Sequence, residues 1–152
     1  MEKPTDEDLQ IIEQQLGRVP RGVLGIAWRN TQGEPGVIVT HPRVGGKPFP
    51  TFYYLTDPDV VKGCSQLEST GYMKELSAQL AENPELAEQY RQAHESYLSD
   101  REQIEYVEEI SGYSAGGMPD RVKCLHALIA HALAKPGINP IGELAVERLG
   151  LR

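Results

Sequence analysis

The sequence predicts an α+β fold: a small antiparallel sheet of about three strands packed against four or five helices, forming a single domain over residues 1–152. Three observations carry this expectation. Apolar residues recur with the period of two of a strand between residues 23 and 55, and with the period of a helix before and after. The connections are short and rich in glycine, proline and asparagine. With 152 residues, 39% of them apolar and 24% charged, the chain is long enough to bury a core without disulfide or metal staples.

Thr5 is an N-cap with Asp8 three residues on, and Leu9, Ile12 and Leu16 repeat until Gly17, which predicts a helix over about 6–16. Leu24, Ile26 and Trp28 then share one face of a strand, while Val23, Gly25, Ala27 and Arg29 share the other. Residues 30–36 are turn chemistry and Val37, Ile38, Val39 and Thr40 form a second strand, so the pair reads as a hairpin. A loop of glycines and prolines leads into a third, aromatic strand over 51–55, completing a meander with helices on one face.

Asp57 and Pro58 open a helix along which Val60, Val61, Cys64 and Leu67 repeat as far as Gly71. A second helical piece runs from about Tyr72 to Ala81, and Asn83 with Pro84 opens the longest helix, about 84–110. There Leu86, Tyr90, Ala93, Tyr97, Ile104 and Val107 follow the spacing of a packing seam. Asp100 occupies the seam position where an apolar residue is expected, with His94, Tyr97 and Arg101 aligned beside it. A charge set against a core requires a partner. Asp100 is expected to pair with Arg121 or Lys123, and Arg101 with a carboxylate or a bound anion, unless the helix rolls both toward water.

Composition excludes several function classes. No apolar run approaches the roughly 18 residues of a membrane span, and the acidic start lacks the design of a signal peptide. A formal net charge of −7 argues against sequence-independent nucleic-acid binding. Two cysteines, Cys64 and Cys124, are too few for a disulfide framework and point to a reducing, cytoplasmic compartment, with both thiols reduced, metal-free and packed on apolar faces. The charge is unevenly placed. Residues 17–50 carry five basic side chains against one acidic, residues 51–110 four against thirteen, and residues 111–152 five against three. The acidic block reads as a solvated helix face, and the two basic ends are free to converge on an anion.

The stretch from Ser114 to His126 carries most of the chemistry. Gly116 and Gly117 allow a tight turn, and Pro119 is expected to open a helix through Leu128, Ile129 and Leu133 to about Ala134. A glycine-rich entry to a helix presents free amides and the positive end of the dipole to an anion, and Arg121 and Lys123 would add charge. The competing interpretation is a tight turn with solvated basic residues. Cys124 and His131 share a helix face by spacing whereas His126 points away, so the ligands zinc needs do not converge and no metal site is expected.

Arg21-Gly22-Val23, Pro48-Phe49-Pro50-Thr51 with Tyr54-Leu55-Thr56, Ala93-His94 with Tyr97, and above all the stretch from Gly116 to His126 resemble the bacterial family catalogued as domain of unknown function 501. The resemblance covers nearly the whole chain. It implies no established reaction or cofactor. It does imply an actinobacterial gene neighbourhood with enolase, a septum-formation initiator and an exopolyphosphatase, which hints at phosphate chemistry or cell division.

The leading expectation is a pocket for a small anionic, phosphate-bearing ligand, held by Gly116, Gly117, Arg121 and Lys123 with His94, Tyr97 and Arg101 opposite. In an enzyme, His94 or His126 would be the acid or base, since imidazole titrates near neutral pH. The alternative is a non-catalytic interaction module, possible in cell division, in which exposed aromatics of residues 48–55 and the acidic long helix dock a protein partner.

Overall fold

The structure is a computed structural model that describes residues 1–152. Its order is α1 (Asp6–Leu16), β1 (Val23–Arg29), β2 (Pro35–Thr40), β3 (Arg43–Val44), β4 (Lys47–Pro48), β5 (Tyr53–Leu55), α2 (Pro58–Glu68), α3 (Tyr72–Glu82), α4 (Pro84–Glu102), a 3-10 turn (Glu108–Ile110), α5 (Leu125–Ala134) and α6 (Pro140–Arg148). The fold is α+β, as the sequence predicts. Strands β1, β2 and β5 form an antiparallel sheet with β2 in the centre, and β3 pairs with β4 in a separate ribbon. No helix is long and apolar enough to cross a membrane.

The sheet differs from expectation in being covered on both faces. Val37, Val39, Tyr53 and Leu55 face the main core, whereas Ile38 meets Ile26 and Ile12 of α1 on the other side. The central strand β2 is consequently buried along its whole length. Strand β1 does not keep one alternation. Its register with β2 shifts between Val23 and Gly25 and again after Ile26, and each bulge turns the following side chains over. Ile26 therefore packs toward α1, while Leu24 and Trp28, expected beside it, pack against the main core.

A sixth helix, α6, completes the core. Asn139 caps it by accepting the Gly142 amide at 2.9 Å, and Pro140 follows in the first turn, the same start signal that opens α2 and α4. It packs on α5, which is buried on all sides from Leu125 to Leu133 except at His126. The helices approach through Gly142, where an added Cβ would overlap the Leu128 carbonyl oxygen.

α4 is shorter than the spacing suggests, and its end explains the polar seam. Arg101, 1% exposed, donates to the carbonyls of Pro50, Ile110 and Tyr113 at 2.8, 2.6 and 2.7 Å. The chain leaves the helix after Glu102 and folds back so that Ile110 and Tyr113 reach the guanidinium. Tyr97 is likewise structural, its hydroxyl accepting the Phe52 and Tyr53 amides at 2.7 and 3.2 Å. Asp100 pairs with the Tyr53 hydroxyl at 2.6 Å and Lys135 at 3.4 Å, in place of Arg121 or Lys123.

At the other end of the sheet, Thr5 and Asp8 form a capping box, and Asp8 also takes both terminal nitrogens of Arg29 at 2.9 Å. The Arg29 hydrogen bonds hold the Asp8 carboxyl well below its usual range. A depressed carboxylate stabilises the fold above its unfolded pKa, about 3.9, and the gain is lost as pH falls toward the folded value. Asp8→Asn is accordingly expected to lower the unfolding midpoint at neutral pH, with the gap to wild type narrowing on acidification below about pH 4. Gly142→Ala should cost about 1–3 kcal/mol by forcing α6 off α5, read from urea denaturation.

Candidate functional site

Helix α5 begins at Leu125, six residues beyond Pro119, and Cys124 is its N-cap, extended at φ −144° and ψ 107°. In extended chain, residues two apart project to one side. Cys124 and His126 accordingly face one cleft, although a helical count from residue 124 separates them. His131, the residue that such a count places beside Cys124, lies in the interior, where Asn139 bonds its Nδ1 at 3.1 Å and its ring stacks on Tyr53. Burial lowers its pKa to about 4, which keeps it neutral.

Helix α2 runs alongside and contributes residues that the sequence reading assigned to packing or left out. Cys64 and Glu68 are four apart, hence on one face. One Glu68 oxygen accepts the Leu125 amide at 2.8 Å, and the other lies 3.2 Å from His126 Nδ1. Ser65 Oγ is 3.3 Å from His126 Nε2. The positive end of α5 and one of its unpaired amides thus meet a carboxylate of the protein itself.

The neighbouring thiols, Cys124 first and then Cys64, raise the His126 pKa far above the usual histidine range. The neighbouring His126 correspondingly lowers the Cys124 thiol, against the opposing effect of burial. Cys64 is fully buried, and burial pushes its thiol up. The two thiols share one imidazole but not one character. Cys64, Glu68 and His126 also bring one donor atom each within 4.8 Å of one another, a mixed sulfur, nitrogen and oxygen set of the kind a borderline-soft divalent cation accepts. The helical spacing used to exclude converging ligands did not consider α2.

Cys124 and His126 open onto a cleft of about 530 Å³ between the end of α1, strand β5 and the starts of α2 and α5. Gln15, Leu16, Tyr54, Thr56 and Lys62 form much of its wall, and Cys64 does not line it. The His126 amide, in the first turn of α5, has no backbone acceptor.

The glycine turn is partly closed on itself. The Arg121 amide donates to the Gly117 carbonyl at 2.9 Å, and those of Lys123 and Cys124 to the Gly116 carbonyl at 2.8 and 3.3 Å, while the Gly116 and Gly117 amides have no backbone acceptor. Gly116 and Gly117 take φ of 68° and 95°. A Cβ on the first would strike Leu128 and on the second the Arg121 carbonyl, which accounts for both glycines by conformation and close approach. The Arg121 carbonyl accepts the buried Tyr90 hydroxyl at 2.7 Å, while the Arg121 and Lys123 residues are exposed. His94 is buried, with Nδ1 2.7 Å from Ser114 Oγ. Burial lowers its pKa. Of the residues expected at the site, His126 alone lines the cleft.

The chain matches the family described as "Protein of unknown function (DUF501)" over residues 26–147, and it belongs to that family. No curated protein and no solved structure matches it.

The contrast between the thiols is directly measurable. Brief treatment with iodoacetamide at neutral pH should alkylate Cys124 and spare Cys64, as mapped by peptide mass spectrometry, because thiolate fraction and access both favour Cys124.

Proposed function

We propose that this DUF501 protein is a thiol-dependent enzyme in which Cys124 attacks an electrophilic carbonyl carbon of a small substrate in the cleft. The observation that carries the reading is the convergence of Cys124, His126 and Glu68 at the open start of α5. The order is that of a nucleophile, a proton carrier and the group that orients it.

Cys124 Sγ forms a bond to the carbonyl carbon, and the carbonyl electrons move onto oxygen. The amides at the start of α5 are the nearest donors for that oxyanion, the His126 amide being free of a backbone acceptor. As the tetrahedral species collapses, the bond to the leaving group breaks and His126 supplies the proton that group needs. Water then attacks the thioester and gives a proton to His126, and Cys124 departs as thiolate. Glu68 holds the imidazole throughout and balances its charge. Of the two histidines expected as acid or base, the role falls to His126, since His94 is held in the interior by Ser114. The small anionic ligand expected at the glycine turn is reassigned to the cleft.

Docking of a protein by the aromatic segment has less support. Phe52, Tyr53 and Leu55 are buried, because that segment is an internal strand and its approach.

Incubation with a panel of p-nitrophenyl esters and acyl thioesters, followed by intact mass spectrometry, should reveal an acyl adduct on Cys124. Cys124→Ala should abolish it, and His126→Gln should slow turnover by about 10²–10⁴-fold. Equal turnover by Cys124→Ala would overturn the proposal. So would one zinc per chain held by Cys64, Glu68 and His126, since His126 would then be withdrawn from Cys124.

A further inference from the structure

Beside the Cys124 cleft lies a smaller depression of about 110 Å³, walled by Leu16, Arg18, Arg21, Phe49 and Tyr54 among others. The two share Leu16 and Tyr54, so the cleft that holds the thiol adjoins the depression that holds two arginines. Phe49 and Tyr54 stand 6.2 Å apart between ring centroids, forming an aromatic border.

The arginines of this chain are mostly engaged. Arg29, Arg43, Arg91 and Arg152 each pair with a carboxylate. Arg101 holds three carbonyls and Arg148 covers the Tyr72 ring. Arg18, Arg21 and the exposed Arg121 have neither a side-chain hydrogen bond nor an ion-pair partner in the protein, although the chain carries a net charge of −7, and of the three only Arg18 and Arg21 line this depression. Two cations left unpaired around one concavity, in a chain with an excess of carboxylates, are suited to an external anion. Lys62 adds a third on the wall of the larger cleft.

The cleft wall has a second peculiarity. Thr56 Oγ1 and Gln15 Oε1 are buried without any hydrogen-bond partner, and both residues line the Cys124 cleft. Thr56 is 2% exposed. Such groups are normally satisfied by protein, water or a bound molecule, so this wall has an acceptor and a hydroxyl still to be matched.

We propose that Arg18 and Arg21 form an anion subsite of the Cys124 cleft, so that the substrate is a small acyl compound bearing a carboxylate or phosphate on an apolar stem. The inference rests on the reactive-thiol reading for the identity of the reacting group, but not for the existence of the subsite. The stem lies against Tyr54 and Phe49, with the acyl carbon at Cys124 and the anion at the guanidiniums.

Binding is measured by calorimetry on Cys124→Ser, which removes turnover, with N-acetylphenylalanine, its neutral amide, phenyl phosphate and inorganic phosphate as probes. The carboxylate, the phosphate ester or both should bind at least about tenfold more tightly than the neutral amide, the scale of one charge-assisted contact. Which anion is preferred separates a carboxylate substrate from a phosphate one. Arg18→Gln/Arg21→Gln on the same background should erase the preference, and on the wild-type background should leave alkylation of Cys124 by iodoacetamide unchanged. Equal affinity for N-acetylphenylalanine, phenyl phosphate and the neutral amide, or a preference that survives the double substitution, overturns the subsite. An anion preference that depends on both arginines, with no acyl adduct on Cys124, upholds the subsite and fails the thiol mechanism instead.

Discussion

The burial of α5 is the constraint on which the rest of the structure depends. A helix apolar on every side must be enclosed on every side, and here the sheet, α2 and α6 enclose it. Only its first turn reaches the surface, so whatever chemistry the helix offers is confined to that end. The end is also where amides go unpaired and the dipole is positive. Glu68 from α2 meets both needs with one carboxylate, accepting the Leu125 amide and facing His126. Helix packing and site assembly are therefore one event, because α2 cannot supply Glu68 without also bringing Cys64 against the imidazole.

The polar residues of α4 answer a different need. Tyr90, Tyr97 and Arg101 are buried on the side of a helix that faces irregular chain. Each satisfies backbone groups there: the Arg121 carbonyl, the Phe52 and Tyr53 amides, and three further carbonyls. Buried backbone groups outside regular structure must find partners, and long side chains from a straight helix can reach several such segments. Their alignment follows from that duty and needs no ligand to explain it.

This difference sets how much was legible in the sequence. The caps and periods of α1 and α2, the period of α3 and the start of α4 state their own positions, since they depend on residues a few places apart, whereas the end of α4 is set by the distant backbone that Arg101 binds. The bulges in β1 were hidden because Leu24, Ile26 and Trp28 keep a perfect alternation in sequence while the register with β2 shifts beneath it. The start of α5 was misplaced because Pro119 is a credible first-turn residue, and only the closure of the loop on the Gly116 and Gly117 carbonyls shows that the chain is not yet helical there. α6 carried a readable signal in Asn139 and Pro140. At the site, His126 was found by its chemistry, but Cys64 and Glu68 lie more than fifty residues upstream, and spacing along a chain says nothing of contacts between helices.

Two thiols against one imidazole need not act alike, and their surroundings decide the division. Cys64 is enclosed in the core, where an anion is costly to hold. Cys124 stands at the start of a helix and opens to the cleft beside His126, circumstances that favour the thiolate. Cys64 is therefore the thiol held in its protonated form and Cys124 the one shifted toward thiolate, on the side of the cleft. Lys62 lines the cleft, and Arg18 and Arg21 line the adjoining depression, so basic side chains gather on this side of an acidic molecule. On the proposed reading, those charges draw an anionic substrate from beyond the reacting atoms, while its electrophilic carbon meets the Cys124 sulfur.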